Sequence, residues 1–238
     1  MISKKIRARN MQDRFTVSIH IPKTAGTTLA EVFSRTLKRR IVFDYEGYEN
    51  PANPNTLILE HKEFVEQYFK VLHGHFYATK YLDVFPDAAF ISTVRHPVDR
   101  VISQYLHEYN EQSGDAAYHA AIREGRMSVI DFAEQPGIGD AMQRHLQGRA
   151  LADYDLLLVS EDFLRSVVVF AATIADLPMQ YAFGVPVQLP RMNEGVARMR
   201  GIDFDEKTRQ EIFARTQPDN AVYAEAVSLL AAKVERYL

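Results

Sequence analysis

Hydrophobic and polar positions along the chain follow two rhythms. Three short runs, "FTVSIH" at 15–20, "AAFISTVR" at 88–95 and "DLLLVS" at 155–160, are nearly continuously apolar. That is the pattern of strands buried on both faces of a parallel sheet. Each leads into a segment with apolar residues at helical spacing, which predicts an α/β fold with a sheet flanked by helices. Weaker runs at 40–43 and 70–73 are candidates for two further strands. The polar stretch "YEGYENPANPNT" is dense in turn-forming residues and predicts a surface loop.

The helix start after residue 95 is the sharpest boundary. His96 stands at the N-cap, Pro97 at the first helical position and Asp99 in the first turn, which suits the exposed N–H groups and positive end of a helix dipole. Val98, Ile102, Tyr105 and Tyr109 then mark one apolar stripe. Near the end of the sequence, Val222, Ala226, Leu229, Leu230 and Val234 predict a packed helix. No linker divides the pattern, so residues 1–238 are read as one domain, with 1–13 a flexible basic tail.

Composition narrows the function. Of the 238 residues 47% are hydrophobic and 25% charged, and the net charge is −3. That gives no field to gather nucleic acid or an anionic membrane. There are no cysteines, which removes thiolate metal sites, disulfides and a cysteine nucleophile. The longest apolar run is broken by Glu161, Asp162 and Arg165, and no signal-type h-region follows the basic start. A cytoplasmic protein without an integral membrane segment is the expectation.

The chemistry begins at "IPKTAGTT", residues 21–28, between the first strand and its helix. A strand turning into a helix leaves backbone N–H groups pointing outward at the positive end of a dipole, a ready anion site. Gly26 permits close approach, Thr27 and Thr28 add hydroxyls, and Lys23 adds a full charge. The order differs from the nucleoside-triphosphate loop, G-x-x-x-x-G-K-[ST], because Lys23 precedes Gly26 and no earlier glycine exists. Alone, the same residues also fit a threonine-capped helix with a solvated lysine.

A second strand-to-helix turn, "STVRHPVDRVISQY" at 92–105, supplies Arg95, whose guanidinium can fork onto two phosphate oxygens, and Ser103 further along the helix. The two motifs together resemble the signature pair of sulfotransferases that use 3′-phosphoadenosine 5′-phosphosulfate (PAPS). The closer likeness is to the carbohydrate branch, that of heparan sulfate 2-O-sulfotransferase and bacterial relatives. The resemblance implies a P-loop-type three-layer fold with a mostly parallel central sheet. It also implies Lys23, Thr24, Gly26, Thr27 and Thr28 at the phosphosulfate, and Arg95 and Ser103 at the 3′-phosphate. The implied partner is a hydroxyl-bearing carbohydrate, glycolipid or small molecule, with PAPS as sulfate donor and no metal.

Sulfuryl transfer to a hydroxyl requires removal of its proton, work suited to a histidine. "VLHGHFYATKY" at 71–81 carries His73 and His75, which share a side if the stretch is extended. The carbohydrate sulfotransferases have a similar H-G-H with the second histidine as base, so His75 is the expected base and His73 its helper. An H-x-H pair also begins some metal sites, and histidines near a core often only pack. Elsewhere, Gln143 and Arg144 in "GIGDAMQRHLQGR" are candidate acceptor contacts, and Arg191 and Asn193 in "LPRMNEGVARMR" are candidate PAPS contacts. Two other readings keep much of this pattern: a small-metabolite P-loop kinase with Asp162 at a metal, and a non-catalytic binder of 3′-phosphoadenosine nucleotides.

Overall fold

Short apolar runs become five strands: β1 (Thr16–Ile19), β2 (Ile41–Asp44), β3 (Val71–Gly74), β4 (Ala89–Val94) and β5 (Leu156–Val159). The computed structural model describes residues 14–37, 40–45, 53–110, 117–174 and 204–237. The strands pair in the order β2-β3-β1-β4-β5, every pair parallel. All residues of β1, β3, β4 and β5 are buried, as a sheet covered on both faces requires. At the β2 edge Phe43 is exposed.

The helices are α1 (Gly26–Thr36), α2 (Thr56–Glu60), α3 (Lys62–Tyr68), α4 (Pro97–Asn110), α5 (Ala117–Arg123), α6 (Val129–Ala133), α7 (Ala141–Leu146), α8 (Phe163–Thr173), α9 (Glu206–Arg215) and α10 (Gln217–Tyr237). One apolar cluster surrounds the sheet and takes Leu29 and Phe33 from α1, Val169 and Phe170 from α8, and Val222, Ala226 and Leu230 from α10. A second joins Val98, Val101 and Ile102 of α4 to Ile122, Phe132 and Ile212, with Tyr105 and Tyr109 packed against it. The predicted stripe of α4 thus faces a helical layer rather than the sheet.

The other side of α4 buries charge. Arg100 is fully buried; its Nη1 donates to Gln104 Oε1 at 2.8 Å, its Nη2 to the Ile138 carbonyl, and its Nε lies 3.7 Å from Asp219 Oδ2. Asp219 in α10 also accepts the backbone N–H groups of Met142 and Gln143, at 3.1 and 2.9 Å. One carboxylate therefore caps α7 and ties it to α4 and α10, which fixes the rotation of α7 about its axis.

The chain order runs away from β1 on one side through α1 and β2, and returns on the other side at β4. The carboxyl ends of β1 and β4 flank this reversal, where open α/β sheets leave a crevice for ligands. Both motifs found in the sequence end there.

Candidate active site

Lys23 and Ala25 both adopt left-handed backbone conformations, with φ of 68° and 70°. Such non-glycine residues cost on the order of 1 kcal/mol or more each and persist where surrounding structure enforces them. The enforcing contacts are visible. Thr24 Oγ1 donates to the Ile21 carbonyl at 2.9 Å, Arg95 Nη1 donates to the Lys23 carbonyl at 3.2 Å, and Ser160 Oγ lies 2.9 Å from the Thr24 carbonyl and 3.0 Å from that of Val94. Left-handed residues of this kind turn successive N–H groups into an anion-binding concavity.

Helix α1 begins at Gly26 with Ala25 as N-cap, and no side chain caps it. The threonine-capped alternative is therefore not what forms. Thr28 is buried and Thr27 exposed, while the Thr24 hydroxyl braces the loop from within. Burial first, and the Arg95 guanidinium after it, hold the Lys23 ammonium below its ordinary pKa, with Glu108 pulling the other way. A partly desolvated cation beside an uncapped helix start is suited to an anion.

Gly26 has a second reason to be glycine. A Cβ there would lie 1.9 Å from the His20 ring. His20, the residue after β1, stacks on His75 with ring centroids 4.1 Å apart and on His73 at 5.1 Å. Register explains the meeting: Ser18 pairs with His73 and Ile19 with Gly74, so the ends of β1 and β3 bring the three rings together. The common side expected of His73 and His75 is the side on which His20 stands.

The three rings differ in environment. His73 is fully buried, its Nδ1 3.0 Å from Ser18 Oγ; its Nε2 makes no hydrogen bond among the described residues, although the Gly26 backbone approaches closely enough to favour its charged form. Burial, then His75, push His73 down to about 3. Burial, then His75 and His73, push His20 down to about 2. His75 is half-buried, and its Nδ1–H donates to the His20 carbonyl at 2.8 Å. Burial lowers its pKa against that bond. A carbonyl can only accept, so neutral His75 is the Nδ1–H tautomer and its lone pair is on Nε2.

Tyr45, immediately after β2, stands beside the stack: its OH is 3.2 Å from His20 Nδ1 and its ring 5.0 Å from that of His75. From α7 comes His145, packed edge-on against Tyr77 at 5.1 Å, with Nδ1–H donating to Ala141 O at 2.6 Å. Burial pushes it down to about 4, and it senses the charge of His75. Gln143 and Arg144, the positions singled out in the sequence, are both exposed; Arg144 pairs with Asp140 at 2.6 Å. His20, Tyr45, Ser160 and His145 carry no motif of their own and become visible only through strand register and the phase of α7.

At the second junction Arg95 and Ser103 are half-buried, on opposite ends of the first two turns after β4. Glu161 Oε1 accepts the His96 N–H at 2.9 Å, and its Oε2 lies 3.3 Å from the Tyr223 hydroxyl. Asp162 pairs with Arg165 at 2.8 Å. Glu161 thus closes a helix start, and Asp162, the carboxylate of the kinase reading, sits in an exposed surface pair. Among the described residues no three histidine or carboxylate side chains converge in the manner of a metal site. Arg191 and Asn193 lie outside the described residues.

A parallel α/β sheet with an uncapped, lysine-bearing strand-to-helix turn at its chain reversal is a phosphate-loop-type fold, with the kind of helix start to which anions bind. The chain belongs to the sulfotransferase family: the model of that family matches residues 7–149, more than half of the sequence. No curated protein matches it in sequence. Solved structures that resemble it include a sulfotransferase from Alicyclobacillus acidocaldarius, at 15% identity and TM-score 0.47, covering 94% of this chain and 97% of that one. Mouse sulfotransferase SULT7A1 complexed with PAP has 14% identity and TM-score 0.41, covering 88% and 65%. Retinol dehydratase in a complex with retinol and PAP has 16% identity and TM-score 0.41, covering 89% and 81%. Among the described residues no helix is long and apolar enough to cross a membrane.

Proposed function

We propose that the protein transfers a sulfuryl group from PAPS to a hydroxyl of a carbohydrate or glycoconjugate, with His75 as general base. The observation that carries this reading is His75 itself: a half-buried, neutral imidazole whose Nδ1–H is fixed on the His20 carbonyl, in a stack that abuts the uncapped start of α1. The donor site fits on three counts: an uncapped helix start, a desolvated Lys23 and the neighbouring Arg95. The assignment of Arg95 and Ser103 to the 3′-phosphate, and of the carbohydrate class to the acceptor, rests on the motif resemblance.

In this reading His75 Nε2 takes the acceptor proton as the acceptor oxygen bonds to sulfur and the bond from sulfur to the phosphate oxygen breaks. Lys23, the first amides of α1 and Thr28 take up the charge left on that oxygen. A positioned base contributes about 10²–10⁴ in rate, and a single preorganised donor about 10²–10³.

The test pairs binding with turnover. Adenosine 3′,5′-bisphosphate at about a hundredfold its dissociation constant adds about 2.7 kcal/mol, a rise in melting temperature of roughly 5–10 °C for a chain of this size. His75→Ala is expected to keep that shift and lose transfer of radiolabelled sulfate from PAPS to a panel of glycans. A shift without turnover on any acceptor, in the wild type, would favour the non-catalytic nucleotide binder. No shift at all would remove the donor site.

A further inference from the structure

The geometry points to His20 as the positioning residue of the base: its ring walls one face of His75 while its backbone fixes the tautomer. This rests on the reading of His75 as the base.

The His20 N–H donates to the Gly74 carbonyl at 2.8 Å, extending the β1–β3 ladder by one rung. The His20 carbonyl, on the other side of the same residue, accepts from His75 Nδ1 at 2.8 Å. Residue 20 thus grips the chain just before His75 and the ring of His75 itself. Any residue but proline at position 20 keeps these two bonds, provided the turn stays in place.

What the imidazole adds is confinement. A half-buried histidine with nothing against its faces can rotate about χ2, exchange Nδ1 for Nε2 and present the wrong nitrogen. The His20 ring lies nearly parallel to that of His75, 22° between planes and 4.1 Å between centroids. Tyr45 stands at 65° to it, 5.0 Å away, and Tyr45 is in turn held by its OH on His20 Nδ1. His20 is itself immobile: it stacks on the fully buried His73 and fills the space that the missing side chain of Gly26 leaves open. The glycine of the anion loop and the stack that orients the base are thereby one packing solution.

The groups facing His75 come from several elements: His20 after β1, His73 in β3, Tyr45 after β2 and His145 in α7, with Lys23 facing the stack through His20. Burial is the main cause of the lowered His75 pKa. Removal of the His20 ring admits water to one face of His75, so the pKa of the base rises toward its ordinary value.

The experiment uses the full chain, the bisphosphate melting shift as a check on the donor site, and kcat and KM for PAPS across pH. Three variants are compared: His20→Ala, His20→Phe and His75→Ala. With His20→Ala, kcat is expected to fall by up to about 10²-fold, the loss that a misplacement of about 1 Å in a reacting group can cause. KM for PAPS stays within about twofold, and the acid limb of the kcat profile moves to higher pH. His20→Phe restores the wall without the ring nitrogens and is expected to recover most of kcat and return the limb to lower pH. The inference is overturned if His20→Ala leaves kcat and the acid limb in place. It is equally overturned if Ala and Phe variants lose activity together with the bisphosphate shift, which would make His20 part of the donor-site scaffold. Full activity in His75→Ala would instead remove the base on which the inference rests, whatever the His20 variants do.

Discussion

The junctions after β1 and β4 share a topology, a buried parallel strand turning into a helix at the same end of the sheet, and they differ in what meets the first N–H groups. After β4, Glu161 takes the His96 N–H, Pro97 has none to offer, and Asp99 in the first turn is matched by Arg209 at 2.6 Å. After β1 no side chain caps the helix, two residues sit in strained left-handed conformations, and the nearest cation is partly stripped of water. A helix start satisfied from within has few N–H groups left to offer; one left open, with strain maintained around it, still has them to give to an anion.

The contrast predicts that loss of the cation at the first junction costs activity, whereas loss of the internal contacts that close the second helix start and pack α4 costs stability. The largest effect belongs to Lys23→Ala, expected to lower kcat by about 10²–10³ while the urea midpoint hardly moves. Next is Arg100→Met on α4 beyond the second junction, which leaves Asp219 buried and unpaired; breaking such a pair costs about 3–5 kcal/mol, read by chemical denaturation. Smaller again is Glu161→Ala, which removes two accepted hydrogen bonds, from the His96 N–H and the Tyr223 hydroxyl, and is expected to cost about 1–2 kcal/mol of stability with the bisphosphate melting shift retained. The smallest is Ala25→Gly, which relieves a left-handed alanine and is expected to stabilise by about 0.4–1 kcal/mol. A loss of activity in Glu161→Ala larger than in Lys23→Ala would invert the comparison.

Acid sensitivity sharpens it from another side. His20, His73 and His145, pushed down to about 2, 3 and 4, stay neutral in the folded protein while their unfolded forms take up protons below about 6.5. The stability they contribute is present above that pH and falls as pH drops, by about 1.4 kcal/mol per pH unit for each. Asp219, raised to about 6 chiefly by burial, works the opposite way between about 4 and 6, because the folded state holds its proton longer. Denaturation midpoints between pH 7 and 4.5 should decline, and His73→Asn should flatten the slope by one histidine's share.

The sequence made much of this architecture legible, and the gaps have physical causes. The runs at 15–20, 88–95 and 155–160 became β1, β4 and β5 because strands buried on both faces write themselves as continuous apolar stretches. The weaker runs at 40–43 and 70–73 are β2 and β3, each shifted by one residue; β2 is an edge, half open to solvent. The His96-Pro97 start of α4 and the apolar positions of α10 appeared where spacing placed them. Buried Arg100, Gln104 and Glu108 on α4 were not legible, since polar residues on the opposite face read as solvated. Nor was the turn of α7 toward the site, which Asp219 sets from 76 and 77 residues away. His20 was in plain view at the end of the first apolar run, next to the first motif, and carries no signal until register lays it against His75.

The Ser160 hydroxyl has a single proton for two carbonyls, those of Thr24 in the first junction and Val94 at the end of β4. The two turns hold opposite ends of one shared bond. If the first loop tightens about a ligand and draws its carbonyl away, the proton passes wholly to Val94 and no donor is stranded. One oxygen atom thus joins the two turns, and the bond available to either carbonyl depends on where the other lies.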